Sequence, residues 1–291
     1  ITLYDHETLV NKFHHRLIGF GYYAGVVGAY NGFRALGLKL NSFKLPKANT
    51  LVDRLALNKQ LDQINIPSVK IILTGTGRVG QGAKEILDHL NIKQVSVNQF
   101  LNDKFEEAVY VQLDVLDYCE RHDGMSIGKK DFFESPKAYK SIFDRFTKIA
   151  DFFIAGHYYG KDAPVFFTRE QAKASSFNLK VVADISCDID GPVACTIRPS
   201  TIDQPIYGYD PETESEVDFK NTSAIAVMAV DNLPCELPKD ASEGFGNSFV
   251  ENILPAFFNN DDKGVLNRAK MTENGKLTPA FSYLQDYVDG K

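Results

Sequence analysis

The 291-residue chain has little of what would take it to a membrane, to nucleic acid or to an oxidising compartment. It contains no run of about 20 apolar residues, the length a membrane span requires. The nearest approach, GFGYYAGVVGAYNGF over 19–33, is too short, and its glycines and tyrosines suit a packed helix. There is no basic excess: 32 Lys and Arg stand against 38 Asp and Glu. The net charge of −6 argues against nucleic acid or an anionic membrane as the main partner. The four cysteines (Cys119, Cys187, Cys195, Cys235) form no C-x-x-C, and no histidine cluster sits at metal spacing, so no metal site is expected. Scattered thiols fit a reducing compartment, and a cytoplasmic location is the expectation. No signal peptide, lipidation motif, internal repeat or low-complexity tract stands out. The chain opens at Ile1, not Met, as a processed product or a fragment would.

The length suffices for two domains, and the composition is that of an ordinary globular protein. The most informative stretch is VKIILTGTGRVGQGA over 69–83. An apolar run ends in Gly75, Gly77 and Gly80 at G-x-G-x-x-G spacing, and the helix-like AKEILDHL follows. Strand, glycine turn and helix in that order make a dinucleotide fingerprint. Gly75 permits the tight turn, Gly77 lets the backbone approach a pyrophosphate, and Gly80 lets the helix lie close on the strand. The free N–H groups at the helix start face the anion.

Around this unit the pattern predicts one long helical stretch over 5–38. Its small residues (Gly21, Ala24, Gly25, Gly28, Ala29) permit close packing, here expected against another domain. A polar connector over 41–49 follows, then an amphipathic helix over 51–63. After the glycine turn come a second strand over 94–97 and a charged, aromatic insertion over 114–148 with a short helix around 137–149. Two buried parallel strands follow, over 150–159 and 179–186. Each ends where open α/β sheets place their ligands. Further strands are expected at 206–210 and 224–230, and a long helix over 240–258. The tail over 276–291 has aromatic residues at helical spacing, read as packing.

Five pieces, in order along the chain, carry a family resemblance: LYDHE (3–7), HRLIGFGYYAGVVGA (15–29), LTGTGRVGQGA (73–83), VVADISCDIDGP (181–192) and AVDNLPCELPKDASEGFG (229–246). The chain resembles the saccharopine dehydrogenase (lysine-forming) and lysine–ketoglutarate reductase group, and more distantly alanine dehydrogenase. The resemblance implies an α/β fold: a Rossmann-type doubly wound parallel sheet with a second, discontinuous α/β domain whose N-terminal part is absent, and a cleft between the two. The expected division is a linking helix and substrate-domain remnant over 1–35, a Rossmann domain over 36–240, and a return to the substrate domain over 241–291. The implied reaction is the NAD(P)-dependent interconversion of saccharopine with lysine and 2-oxoglutarate through an imine. An alanine or opine-type dehydrogenase, or a non-catalytic dinucleotide-binding protein, is the alternative. The implied partners are an amino acid and a 2-oxo acid; oligomeric state is not legible.

The resemblance also assigns residues. Arg16 matches a substrate-binding arginine, whose guanidinium could grip a carboxylate bidentately. His15 stands where the family often has a cofactor-contacting arginine, and Phe20 matches a substrate-contacting phenylalanine. Ser186, Cys187 and Asp188 match a substrate-lining stretch, with Asp188 placed to accept from an ammonium. Arg78 and Tyr158 match cofactor-contacting positions, and Ile185 a backbone contact to cofactor. Val230, Asp231, Asn232 and Leu233 match the segment closing over the nicotinamide. Asn98 aligns with the acid that binds the ribose 2′-OH in dinucleotide folds. It keeps an acceptor but lacks the charge that repels a 2′-phosphate, so NAD and NADP both stay open, with a lean to NAD. His157 is read as structural. The family's catalytic lysine and histidine lie upstream of the motif at Leu3, so the chain alone is expected to bind cofactor and turn over poorly.

Overall fold

The computed structural model describes residues 1–125, 128–160 and 162–291. The chain divides into a large unit, Gly21–Pro238, and a smaller one, Ile1–Phe20 with Lys239–Lys291. Among the described residues no helix is long and apolar enough to cross a membrane.

The large unit is an α/β sandwich. Among the described residues its main sheet has eight strands, β1 (Lys70–Thr74), β2 (Lys93–Gln94), β3 (Val109–Leu113), β4 (Phe152–Ala155), β5 (Val181–Asp184), β6 (Ile206–Asp210), β7 (Ser215–Val217) and β8 (Ile225–Met228), in the order 7-6-8-5-4-1-3-2. Strands 8-5-4-1-3-2 run parallel, and β6 and β7 add an antiparallel margin. The central strands are buried on both faces, as parallel strands covered by helices must be. Period-two alternation sends Ile71, Leu73, Phe152 and Ile154 into one core and Ile72, Phe153 and Val182 into the other.

The first core is closed by α1 (Gly21–Leu40), α2 (Arg54–Leu61) and α3 (Arg78–His89). The expected helix over 5–38 begins only at Gly21. Before it, Asn11 Oδ1 accepts from the N–H groups of Phe13 and His15, His14 takes φ 61°, and Val10 bridges to Arg16, which together make a turn. The small residues of α1 serve a contact inside the large unit: a Cβ on Gly25 would lie 2.0 Å from Val79 O of α3. Residues 21–35 pack with the sheet, and the unit boundary falls at Phe20. Asp53 caps α2, its carboxylate accepting from Ala56 N at 3.0 Å.

The second expected strand shrinks to an edge pair, β2, because Ser96 opens a capping box. Its hydroxyl accepts from Gln99 N, Gln99 Oε1 accepts from Ser96 N, and α4 (Val97–Asn102) starts there. The segment 114–148 carries α5 (Val115–Tyr118), an antiparallel pair Cys119–Arg121 with Tyr139–Ser141, and α6 (Lys129–Glu134); residues 126–127 of it lie outside the described residues. In place of the expected helix over 137–149 there are a 3-10 turn, the second hairpin strand and the helical turn Asp144–Thr147.

The smaller unit, taken by itself, has an antiparallel sheet of Leu3–Tyr4, Lys270–Glu273 and Lys276–Leu277 and a core of Leu9, Ile18, Ile253, Val265 and Leu266. Its principal helix, Pro238–Asn252, stops before Pro255, and a 3-10 turn continues to Phe257. In the tail only Phe281 is buried; Tyr283 and Tyr287 are exposed.

Candidate functional site

Three parallel strands meet at the glycine turn. β1 ends at Thr74, with β3 on one side and β4 on the other. The chain crosses to β2 and β3 before it returns past β1 to β4, so β1 flanks the point where strand order reverses. Open α/β sheets bind ligands outside the carboxyl ends of the strands at such a point.

The turn has the shape its spacing predicts. Gly75 takes φ +92°, and a Cβ there would lie 2.3 Å from Gly156 O. A Cβ on Gly80 would lie 2.1 Å from Gly75 O, so α3 packs on the turn itself. Gly77 differs: a Cβ there would meet nothing within 4 Å. It is the N-cap of α3 and, being glycine, brings no capping side chain of its own. A 12-residue helix therefore starts at the edge of an open space.

That space is a cavity of about 320 Å³ with three walls. The turn supplies Gly75, Thr76, Gly77, Arg78 and Val79. The end of β3 and the insertion supply Asp114, Val115, Tyr118, Phe132 and Phe133. The end of β4 supplies Gly156, His157 and Tyr158. Asp114 caps α5, accepting from Val115 N at 2.7 Å, and pairs with the Lys129 ammonium. His157 is buried, with Nδ1 3.2 Å from Thr74 Oγ1 and its ring edge-on to Phe166. Its Nε2 has no hydrogen-bond partner among the described residues. Burial pulls its pKa down to about 3, so the ring is neutral at physiological pH.

Of the residues expected to hold cofactor, Gly75, Gly77, Arg78 and Tyr158 line this cavity, and Gly80 supports it. Asn98 does not. It lies exposed inside α4, where its backbone and side-chain oxygens accept from Asn102 Nδ2. The strand beside β1 is β3, the third in sequence, not β2. The acid at the end of that neighbouring strand is Asp114, which the sequence reading missed. A signal was available: VYVQLD reads as a buried strand ending in a carboxylate.

A second group gathers at the ends of β5 and β8. Ile185 follows β5 and packs beside Leu233 against Gly28 of α1. Asp184, buried and also missed, fixes the loop after it: Oδ1 accepts from Ser186 Oγ at 2.6 Å and from the N–H groups of Ser186 and Cys187, and Oδ2 accepts from Thr196 Oγ1 at 2.6 Å. Cys187, at φ 54°, donates its thiol to Ala229 O at 3.0 Å, joining this loop to the one entered by Val230. Burial pushes the Cys187 thiol up to about 11 and raises Asp188 above the usual carboxylate range. Val230 and Leu233 are buried, Asp231 is exposed, and Asn232 takes φ 58° at the head of a 3-10 turn.

Arg16, His15 and Phe20 belong to the smaller unit. Arg16 Nη1 lies 2.7 Å from Glu7 Oε2, His15 is exposed, and Phe20 stacks on Phe245 at 4.7 Å.

A dinucleotide fits the cavity on three counts: the open face over Gly77, the helix start that follows it, and a carboxylate at the end of the adjacent strand.

No family model matches the chain. It is 26% identical over 98% of its length to alpha-aminoadipic semialdehyde synthase of Arabidopsis thaliana, of which it covers 30%. It is 25% identical over 87% of its length to saccharopine dehydrogenase [NAD(+), L-lysine-forming] of Neurospora crassa, of which it covers 60%. The chain thus spans about a third of the first relative and three-fifths of the second. Among solved structures an L-alanine dehydrogenase matches 99% of the chain with TM-score 0.57 and 16% identity, covering 69% of that protein, a likeness of fold.

Proposed function

We propose that this chain, a distant relative over nearly its whole length of saccharopine dehydrogenase and alpha-aminoadipic semialdehyde synthase, is an NAD-dependent amino-acid oxidoreductase. In this reading it interconverts saccharopine with lysine and 2-oxoglutarate. The observation that carries it is the cavity where the glycine turn meets the ends of β3 and β4. The nicotinamide cofactor, when bound, gives or takes the hydride. The N–H groups after Gly77 hold the pyrophosphate, and Asp114 accepts from the ribose hydroxyls; its charge disfavours a 2′-phosphate and supports NAD over NADP. The loop 185–188, braced by Asp184, and the turn 230–233 line the nicotinamide and substrate end. Within that loop Asp188 serves as an ammonium acceptor.

The test starts from binding. The chain has no tryptophan, so emission from bound NADH is read without an indole background. NADH binding that survives in the wild type and fails in Gly77→Ala supports the cofactor site; no NADH binding overturns it. NADH oxidation that needs both lysine and 2-oxoglutarate supports the substrate reading. Oxidation with pyruvate and ammonia instead moves the chain to the alanine dehydrogenase type. Binding without turnover on either pair leaves the non-catalytic dinucleotide-binding reading.

A further inference from the structure

Beyond Asp114, the segment 114–148 has no role in the function as read so far, yet it forms one wall of the cavity. It is internally braced. Asp131 Oδ2 accepts from Tyr139 Oη at 2.8 Å and from Arg121 Nη1 at 2.5 Å, and Arg121 Nη2 reaches Asp123 at 2.9 Å. These bonds tie α6 to the hairpin Cys119–Arg121 with Tyr139–Ser141. Phe132 is buried edge-on to Tyr139, with ring centroids 5.1 Å apart. Its neighbour Phe133 meets it edge-on at 5.4 Å, lines the cavity and keeps 60% of its surface exposed. The core does not consume Phe133; a braced scaffold presents a bare aromatic ring to a ligand-sized space.

The strand order says which half of a dinucleotide meets that ring. β3 and the insertion lie on one side of β1; β4, β5 and the loop 185–188 lie on the other. A dinucleotide whose pyrophosphate sits on the glycine turn extends its two nucleosides across the reversal point. The nicotinamide goes toward 185–188 and the adenosine toward β3, where Asp114 stands at the ribose position. We propose that the inserted segment is the adenine-recognition element of this site, with the ring of Phe133 as the platform on which the purine stacks. This rests on the cofactor reading above and assigns its adenosine half.

The experiment is isothermal titration of the full 291-residue chain with ADP-ribose, which carries the adenosine half and no nicotinamide. Three substitutions are compared: Phe133→Ala, Phe133→Leu and Phe133→Tyr. Base–aromatic stacking sets the scale. Phe133→Ala and Phe133→Leu are expected to weaken ADP-ribose by about tenfold or more, and Phe133→Tyr to stay near wild type. Phe133 is exposed, so thermal unfolding should not separate the variants. If Phe133→Ala and Phe133→Leu bind ADP-ribose as the wild type does, or if Phe133→Tyr loses as much as Phe133→Ala, the stacking platform is wrong while the cofactor site stands. A wild type that binds neither ADP-ribose nor NADH removes both.

Discussion

One methyl group separates two kinds of glycine within the turn. At Gly80 a Cβ would press on the Gly75 carbonyl, a backbone atom that has nowhere to go. At Gly77 the same atom would enter open space. Gly80→Ala should therefore destabilise the fold by about 1–3 kcal/mol, the range for overpacking. Gly77→Ala should unfold at the wild-type denaturant midpoint but bind NADH at least about tenfold more weakly, because the methyl stands where the pyrophosphate approaches. Paired urea melts and NADH titrations separate the two. Asp114 gives a second expectation. Asp114→Asn removes the charge that disfavours a 2′-phosphate, so the NADPH-to-NADH affinity ratio should rise by about tenfold or more, the scale of a charged hydrogen bond. A ratio that does not move excludes Asp114 from the ribose site.

His157 makes the large unit sensitive to acid. Its folded pKa, about 3, lies below the ordinary 6.5. The stability it contributes is complete above pH 6.5 and is lost as pH falls from there toward 3, because the unfolded chain takes the proton first. The buried carboxyls Asp184 and Glu236 are shifted upward by burial and act in the opposite sense: their contribution is present at low pH and lost as pH rises. Comparing wild type with His157→Phe isolates the histidine. The difference in unfolding free energy should shift by up to about 1.4 kcal/mol per pH unit on going from pH 6.5 to pH 5. Parallel pH profiles for the two proteins would contradict the burial of a neutral ring.

At the scale of elements, α1 and α3 cross through glycine on both sides. A Cβ on Gly25 would lie 2.0 Å from Val79 O, and one on Gly82 would lie 2.0 Å from Tyr22 O. Gly25→Ala and Gly82→Ala should each cost about 1–3 kcal/mol. Together they should cost less than the sum, since the first substitution already forces the helices apart and both act on one crossing. Strictly additive losses in a double-mutant cycle would refute a shared crossing. The elements themselves were largely legible in sequence. β1, β4, β5, β6 and α3 fall near their expected positions, because an apolar run or a helical period is a local property. The misses were local too: capping at Ser96 ended a strand early, and side-chain hydrogen bonds from Asn11 made a turn inside the stretch expected to be helical.

At the scale of the whole molecule, NADH should slow amide exchange at three places far apart in sequence: 75–80, 114–118 and 156–158. Exchange in the insertion around Phe133 should fall with ADP-ribose as well. Protection limited to the glycine turn would mean that the three walls do not act as one site.

The sequence by itself determined the glycine turn, the chemistry it suits and the family resemblance, since each depends on residues a few positions apart. Which carboxylate stands beside that turn was decided by tertiary structure alone. Counting along the chain led to Asn98, at the strand next in sequence. Packing instead moved that strand to the sheet edge and set β3 against β1, bringing Asp114 to the cavity and the insertion with it. Strand order is fixed by which apolar faces bury best against each other and against the helices, and no local pattern records that choice.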